Sequence, residues 1–205
     1  MENRILRSRK ARIAIMTTLV ILAGWTVLTA WVETPGKSDT LEFGDATDST
    51  RVLITYDPDP IYDLDKQICV AIGEGLATNH ASVLVATTAA TKNIDLGSFD
   101  LFVVCANTYN WGPDMAVVDF ISSNEKLRGK CVVAITIGSG STEAASKKLE
   151  KYIVNSGARI LASKQWWLMR PNDETRLEED NVKVATDQAY RFGESLGQSF
   201  RLCAF

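Results

Sequence analysis

From Arg51 onward, short runs of apolar residues alternate with stretches in which apolar positions recur every three or four residues. The runs are RVLITY (51–56), ASVLVATT (81–88), DLFVVCA (100–106), KCVVAITI (130–137) and ARILAS (158–163). They are rich in β-branched residues, short and apolar throughout, which predicts strands buried on both faces. Between the first two, residues 62–78 carry Leu64, Ile68, Ala71, Ile72, Gly75 and Leu76 at helical spacing. A short helix is expected over 115–122, after Pro113. Another spans 142–156, with Ser141 or Thr142 as its cap, Ala145, Leu149, Tyr152, Ile153 and Ser156 on one face and Gly157 as its stop. The last runs over 182–200, with Ala185, Ala189, Phe192, Leu196 and Phe200 inward. Strand and helix alternating five times predict an α/β fold with a doubly wound, five-stranded parallel sheet. Ligands of such sheets lie beyond the carboxyl ends of the strands. The loops to inspect are therefore 56–63, 88–98, 106–114, 138–142 and 164–181.

The N-terminal part follows a different pattern. Residues 13–32 read IAIMTTLVILAGWTVLTAWV, twenty residues without a charge. At about 1.5 Å rise per residue they match the roughly 30 Å hydrocarbon core of a bilayer. The basic segment 1–12 holds Arg4, Arg7, Arg9, Lys10 and Arg12, and the 33–49 stretch that follows is acidic. Trp25 and Trp31 fall where indoles favour the membrane interface. A cleaved signal peptide would have a shorter apolar region and a better small-residue cleavage site than Leu28-Thr29-Ala30. The expectation is a single-pass transmembrane anchor over 13–32, with the N-terminus inside and the folded domain outside. Residues 33–49, with Pro35, Gly36 and Gly44 among Ser, Thr and Asp, read as an acidic linker, and 50–205 as the α/β domain.

Composition narrows the partners. The 205-residue chain is 46% apolar and 23% charged, with a formal net charge of −3. No basic block lies in the domain, which argues against nucleic acid; the apolar segment makes the membrane bilayer an expected partner, and a redox or membrane-complex protein is expected only from the resemblance given below. The four cysteines (Cys69, Cys105, Cys131, Cys203) include no CxxC pair, so zinc and thiol-redox readings have no support. Cys105 ends one predicted strand and Cys131 starts the next, too far apart for a disulfide. Four separate thiols are expected. The only histidine, His80, falls on the edge opposite the ligand loops, so no hydrolytic triad assembles there.

Two loops have ligand character. CANTYNWGPD (105–114) sets two aromatics beside Gly112 and Pro113, an arrangement suited to stacking on a flat ring. IGSGSTEAA (137–145) opens a helix with glycines that admit close backbone approach. A tight turn with a helix cap explains either loop equally well.

Taken together, DLFVVCANTYNWGPDMAVVDFI, GKCVVAITIGSGSTEAASKKLEKYIVNSGARIL and the spacing of Arg51 to Leu76 resemble the flavodoxin-like family over roughly residues 51–200. The resemblance implies FMN as cofactor and electron transfer, or quinone reduction by an FMN-dependent oxidoreductase. It places Asn107, Thr108, Tyr109, Asn110, Trp111 and Gly112 along the isoalloxazine, with Tyr109 or Trp111 stacked on it. Gly138, Ser139 and Gly140 would approach its pyrimidine end. A response-regulator receiver domain shares the fold, but Cys105, Ala106 and Asn107 stand where its phospho-accepting aspartate would be.

The first loop departs from the resemblance. The family cradles the FMN phosphate there with small hydroxyl residues, a glycine and backbone N–H groups. Here TYDPDPIYDLD (55–65) has four aspartates, and Pro58 and Pro60 bring no N–H. Each carboxylate at 5–8 Å opposes a phosphate by about 2–3 kcal/mol at an effective dielectric near 20. The readings are a divalent ion such as Mg²⁺ held by Asp57 and Asp59, a flavin bound by the other two loops, or an empty scaffold. Trp166, Trp167, Leu168 and Met169 form an apolar patch that either covers the sheet or docks a partner. Two functions are thus expected: a membrane-anchored FMN module, or a flavin-free accessory subunit of a membrane complex.

Overall fold

The computed structural model describes residues 9–200. The chain divides after Thr34 into two units. The first contains helix α1 (Arg9–Val32), long and apolar enough to cross a membrane. Its threonines cause little polar cost, because the hydroxyls of Thr18 and Thr26 donate to the carbonyls of Ala14 and Ala23 one turn back.

The second unit is built on a mixed sheet. Its strands are β1 (Thr40–Phe43), β2 (Thr50–Tyr56), β3 (Ala81–Thr87), β4 (Leu101–Tyr109), β5 (Gly112–Pro113), β6 (Cys131–Gly138) and β7 (Arg159–Trp167). They are ordered β1-β3-β2-β4-β6-β7, with β5 paired to β4. The five expected strands are parallel neighbours in the order second-first-third-fourth-fifth. The sheet has seven strands rather than five, because β1 and β5 add antiparallel pairs at its margins.

Helices cover both faces, as the wholly apolar strands require. On one face α2 (Leu64–Ala77) and α6 (Asn181–Phe200) bury Ile68, Ile72, Ala185 and Ala189 against Val52, Ile54, Val103 and Ile135. They meet through two glycines: a Cβ on Gly75 would lie 2.1 Å from the Tyr190 carbonyl, and one on Gly193 would lie 2.3 Å from that of Ile72. On the other face α3 (Thr88–Thr91), α4 (Met115–Ser123) and α5 (Glu143–Asn155) bury Ala90, Val117, Ile121, Leu149 and Ile153 against Leu53, Phe102, Val104 and Val132.

Three expectations are corrected. Part of the acidic 33–49 stretch is structural: β1 pairs with β3, and Phe43 packs on the core. Its four residues are too few to show a period beside so many acids. β7 runs to Trp167 instead of ending at residue 163, because the ladder with β6 continues to Gly138–Trp167. Nor are the cysteines four separate thiols. Cys69 and Cys105 are free and buried, but Cys131 is disulfide-bonded. Strand separation does exclude Cys105, since Cys131 pairs in register with Leu101 and Cys105 with Ile135.

Candidate functional site

The carboxyl edge of the sheet brings together the first loop, the β4–β5 hairpin and the β6–α5 loop. At its centre lies Asn107, buried at the end of β4. Its side-chain amide donates to the Asp57 carbonyl at 3.0 Å and to Asp65 Oδ2 at 2.8 Å, while its backbone N–H donates to Asp114 Oδ2 at 2.9 Å. One residue thus ties the first loop to the far end of the β4–β5 hairpin.

The aspartates of the first loop are internal ligands. Asp57 is 4% exposed, and its Oδ1 accepts from Gly36 N and Thr88 Oγ1. Asp65 accepts from Asp59 N at 2.7 Å and Lys66 N at 2.7 Å. Asp59 Oδ1 accepts from the N–H groups of Ile61 (2.7 Å) and Tyr62 (2.9 Å), and its Oδ2 from the Tyr109 hydroxyl at 2.6 Å. Asp63 precedes α2 without capping it and holds Gln67 Nε2 instead.

Burial sets the charge state of this cluster. It pushes Asp114 up to about 8 and Asp65 up to about 6, against the N–H donors that favour the ionised forms. Burial also raises Asp57. Tyr109 is raised by burial and by the Asp59 carboxylate that its hydroxyl serves, so it stays a donor.

The segment before β1 closes over the first loop. Gly36 packs so tightly on Pro58 that an added Cβ would lie 2.5 Å from its ring. Asp39 N donates to Thr87 Oγ1, which donates in turn to the Lys37 carbonyl, and Lys66 pairs with Asp39 at 2.8 Å. Sequence reading missed these contacts. Only Gly36 hinted at them, and its partner Pro58 is twenty-two positions away.

The remaining predicted residues fall into two groups. Asn110 and Trp111 form the two-residue turn between β4 and β5, at φ +49° and +58°. This left-handed geometry is the type I′ hairpin turn that favours Asn-Gly, and a tryptophan in its second position is strained. Trp111 is 64% exposed, and its carbonyl accepts from Lys148 Nζ at 3.0 Å. Gly112 follows in β5. Tyr109, by contrast, is half-buried with its hydroxyl on Asp59, so the exposed ring is Trp111.

The β6–α5 loop is joined to its neighbours. Ser139 O accepts from Met169 N and Arg170 N, extending the β6–β7 pairing. A Cβ on Gly138 would lie 2.8 Å from the Thr142 methyl, and one on Gly140 would lie 3.4 Å from Arg170 Cβ. These glycines thus let their own chain close in. Trp167 Nε1 donates to Thr142 Oγ1, and the Arg170 guanidinium lies 4.4 Å over the Trp167 ring. Trp166 is buried edge-on to Phe192. The Trp166–Met169 patch therefore covers the sheet, except Met169, which is 71% exposed.

Three threonine hydroxyls stand out by contrast. Thr55, Thr108 and Thr136 have buried Oγ1 atoms without a hydrogen-bond partner among the described residues. Strand alternation puts all three on the face of α3, α4 and α5, near the carboxyl ends of the adjacent strands β2, β4 and β6. Buried polar atoms without partners are rare in proteins.

No family profile matches the chain, and no curated protein does so in sequence. Solved structures do. An archaeal flavodoxin matches at a TM-score of 0.50 and 13% identity, over 74% of this chain and 99% of its own. The fold is flavodoxin-like. A WrbA-like protein from Agrobacterium tumefaciens matches at 0.55 and 13%, over 75% and 99% of the two chains. Rubredoxin oxygen:oxidoreductase from Desulfovibrio gigas matches at 0.56 and 14%, over 75% of this chain but only 36% of its own.

The exposed Trp111 ring fits a flat ligand at this edge, and the buried hydroxyls near the ends of β2, β4 and β6 lack partners of their own. The first loop does not fit a phosphate: its N–H groups at Asp59, Ile61 and Tyr62 already serve carboxylates of the same loop and of α2. Among the described residues no group of three or more His, Cys, Asp or Glu side chains is placed to hold an ion, and Asp57 and Asp59 are directed at N–H and O–H donors.

Proposed function

We propose that this chain is a membrane-anchored, flavodoxin-like module of flavin-linked electron transfer or reduction, which receives the flavin ring at the β4–β5 hairpin and the β6–α5 loop. The observation that carries this reading is the set of unpartnered buried hydroxyls on Thr55, Thr108 and Thr136 near the carboxyl ends of β2, β4 and β6. Support also comes from the neighbours named above, which are flavodoxins and oxidoreductases. The anchor reading is supported by the length and apolarity of α1 and by the basic residues before it. The disulfide at Cys131 favours an oxidising compartment for the domain, in line with the charge bias.

The test is the visible absorbance of the full chain in detergent, as purified and after adding riboflavin or FMN. Bound flavin bands are expected. Free-flavin spectra only, with both riboflavin and FMN, overturn the reading. A second reading, a flavin-free accessory subunit of a membrane complex, is favoured by the self-occupied first loop. It predicts no flavin bands under any condition and co-purification of a defined membrane partner with the native chain.

A further inference from the structure

The first loop converges on a single group of its own. Two backbone N–H groups (Ile61 and Tyr62) and the Tyr109 hydroxyl all point at the Asp59 carboxylate, at 2.6–2.9 Å. A third N–H, that of Asp59, goes to Asp65. Pro58 and Pro60 supply none. An anion surrounded by backbone N–H groups and a hydroxyl is how proteins hold phosphate. Here the anion is a side chain of the loop itself, and the cross-loop donor Tyr109 fixes it in place.

We propose that Asp59 occupies from within the position where this loop would otherwise take a ligand's phosphate, making it the specificity-determining residue of the carboxyl-edge site. The site then selects a flavin whose ribityl chain ends in a neutral hydroxyl and rejects one ending in a phosphate. This selectivity rests on the flavin reading above, whereas the closure of the loop to phosphate stands apart from it. Two features add to the closure. Gly36 packs directly on the Pro58 ring, and Asp57 is buried on Gly36 N and Thr88 Oγ1. A phosphate entering this position would have to displace Asp59 and share the space with Asp57 and Asp65.

The experiment uses isotope-labelled full chain in detergent micelles, titrated separately with inorganic phosphate, FMN and riboflavin. In the wild-type protein, inorganic phosphate is expected to leave the amide resonances of Asp59, Ile61 and Tyr62 unmoved, and riboflavin to bind at least about tenfold tighter than FMN. In Asp59→Gly, whose loop glycine frees three donors, phosphate is expected to shift the Ile61 and Tyr62 amides, and the preference for riboflavin to shrink. Asp59→Asn keeps size and an acceptor oxygen while losing the charge. It is expected to fold as the wild type does and to narrow the same preference. Phosphate shifts in the wild-type loop, equal affinity for the two flavins, or a folded Asp59→Gly protein that stays silent to phosphate would each overturn the proposal. If neither flavin binds, the flavin reading falls, and the phosphate titration still decides the role of Asp59.

Discussion

Asn107 and Asp114 bind each other twice: Asn107 N donates to Asp114 Oδ2 at 2.9 Å, and Asp114 N donates to the Asn107 carbonyl at 2.9 Å. The pair closes the base of the β4–β5 hairpin. Asp114 also caps α4 by accepting from Val117 N at 2.9 Å. A single buried carboxylate therefore joins hairpin, helix and, through Asn107, the first loop.

That arrangement gives the domain a pH dependence. Burial raises Asp114 to about 8, above its value in the unfolded chain near 3.9. The folded state thus holds a proton that the unfolded state has released, and stability falls as pH rises from about 4 toward 8. Asp65, raised to about 6, adds to the lower half of this window. Asp114→Asn keeps an oxygen for Val117 N–H and cannot ionise, so urea unfolding should become markedly less sensitive to pH between 5 and 8. An unchanged slope in that variant would assign the dependence elsewhere.

Trp111 carries a cost that its exposure does not repay in packing. At φ +58° and 64% exposed, it gains little from burial and is strained by its backbone. Trp111→Gly should stabilise the domain by about 0.5–1 kcal/mol in denaturant unfolding, because glycine suits a type I′ turn. The same variant should weaken riboflavin binding by about tenfold, the scale of a lost aromatic contact. Stabilisation with unaltered flavin affinity would remove Trp111 from the site.

Where α2 crosses α6, the helix axes approach through Gly75 and Gly193. A Cβ on Gly193 would meet the Ile72 carbonyl at 2.3 Å, a backbone atom that cannot rotate away. Gly193→Ala should therefore destabilise by roughly 1–3 kcal/mol despite the higher helix propensity of alanine. A neutral effect on the urea midpoint would show that the two helices slide apart without loss.

Much of the fold is legible locally. Leu53, Val103 and Val133 sit in runs that are apolar on both faces of the strand, and such runs have only one stable place, between two helical layers. The spacing of Ile68 and Ile72, or of Leu149 and Ile153, likewise specifies which side of a helix turns inward. The first loop's misfit with phosphate was also readable, from its aspartates and prolines alone. The tertiary structure decided what those aspartates do. Asp59 is held by Tyr109 fifty positions away and Asp65 by Asn107 forty-two away. Charge counting sees repulsion there, whereas the folded chain surrounds each carboxylate with donors. Gly36 on Pro58, β1 on β3 and Gly75 against Tyr190 belong to the same class. Periodicity reports how a residue relates to its own element. Which donor meets which acceptor depends on distances set only when distant elements pack.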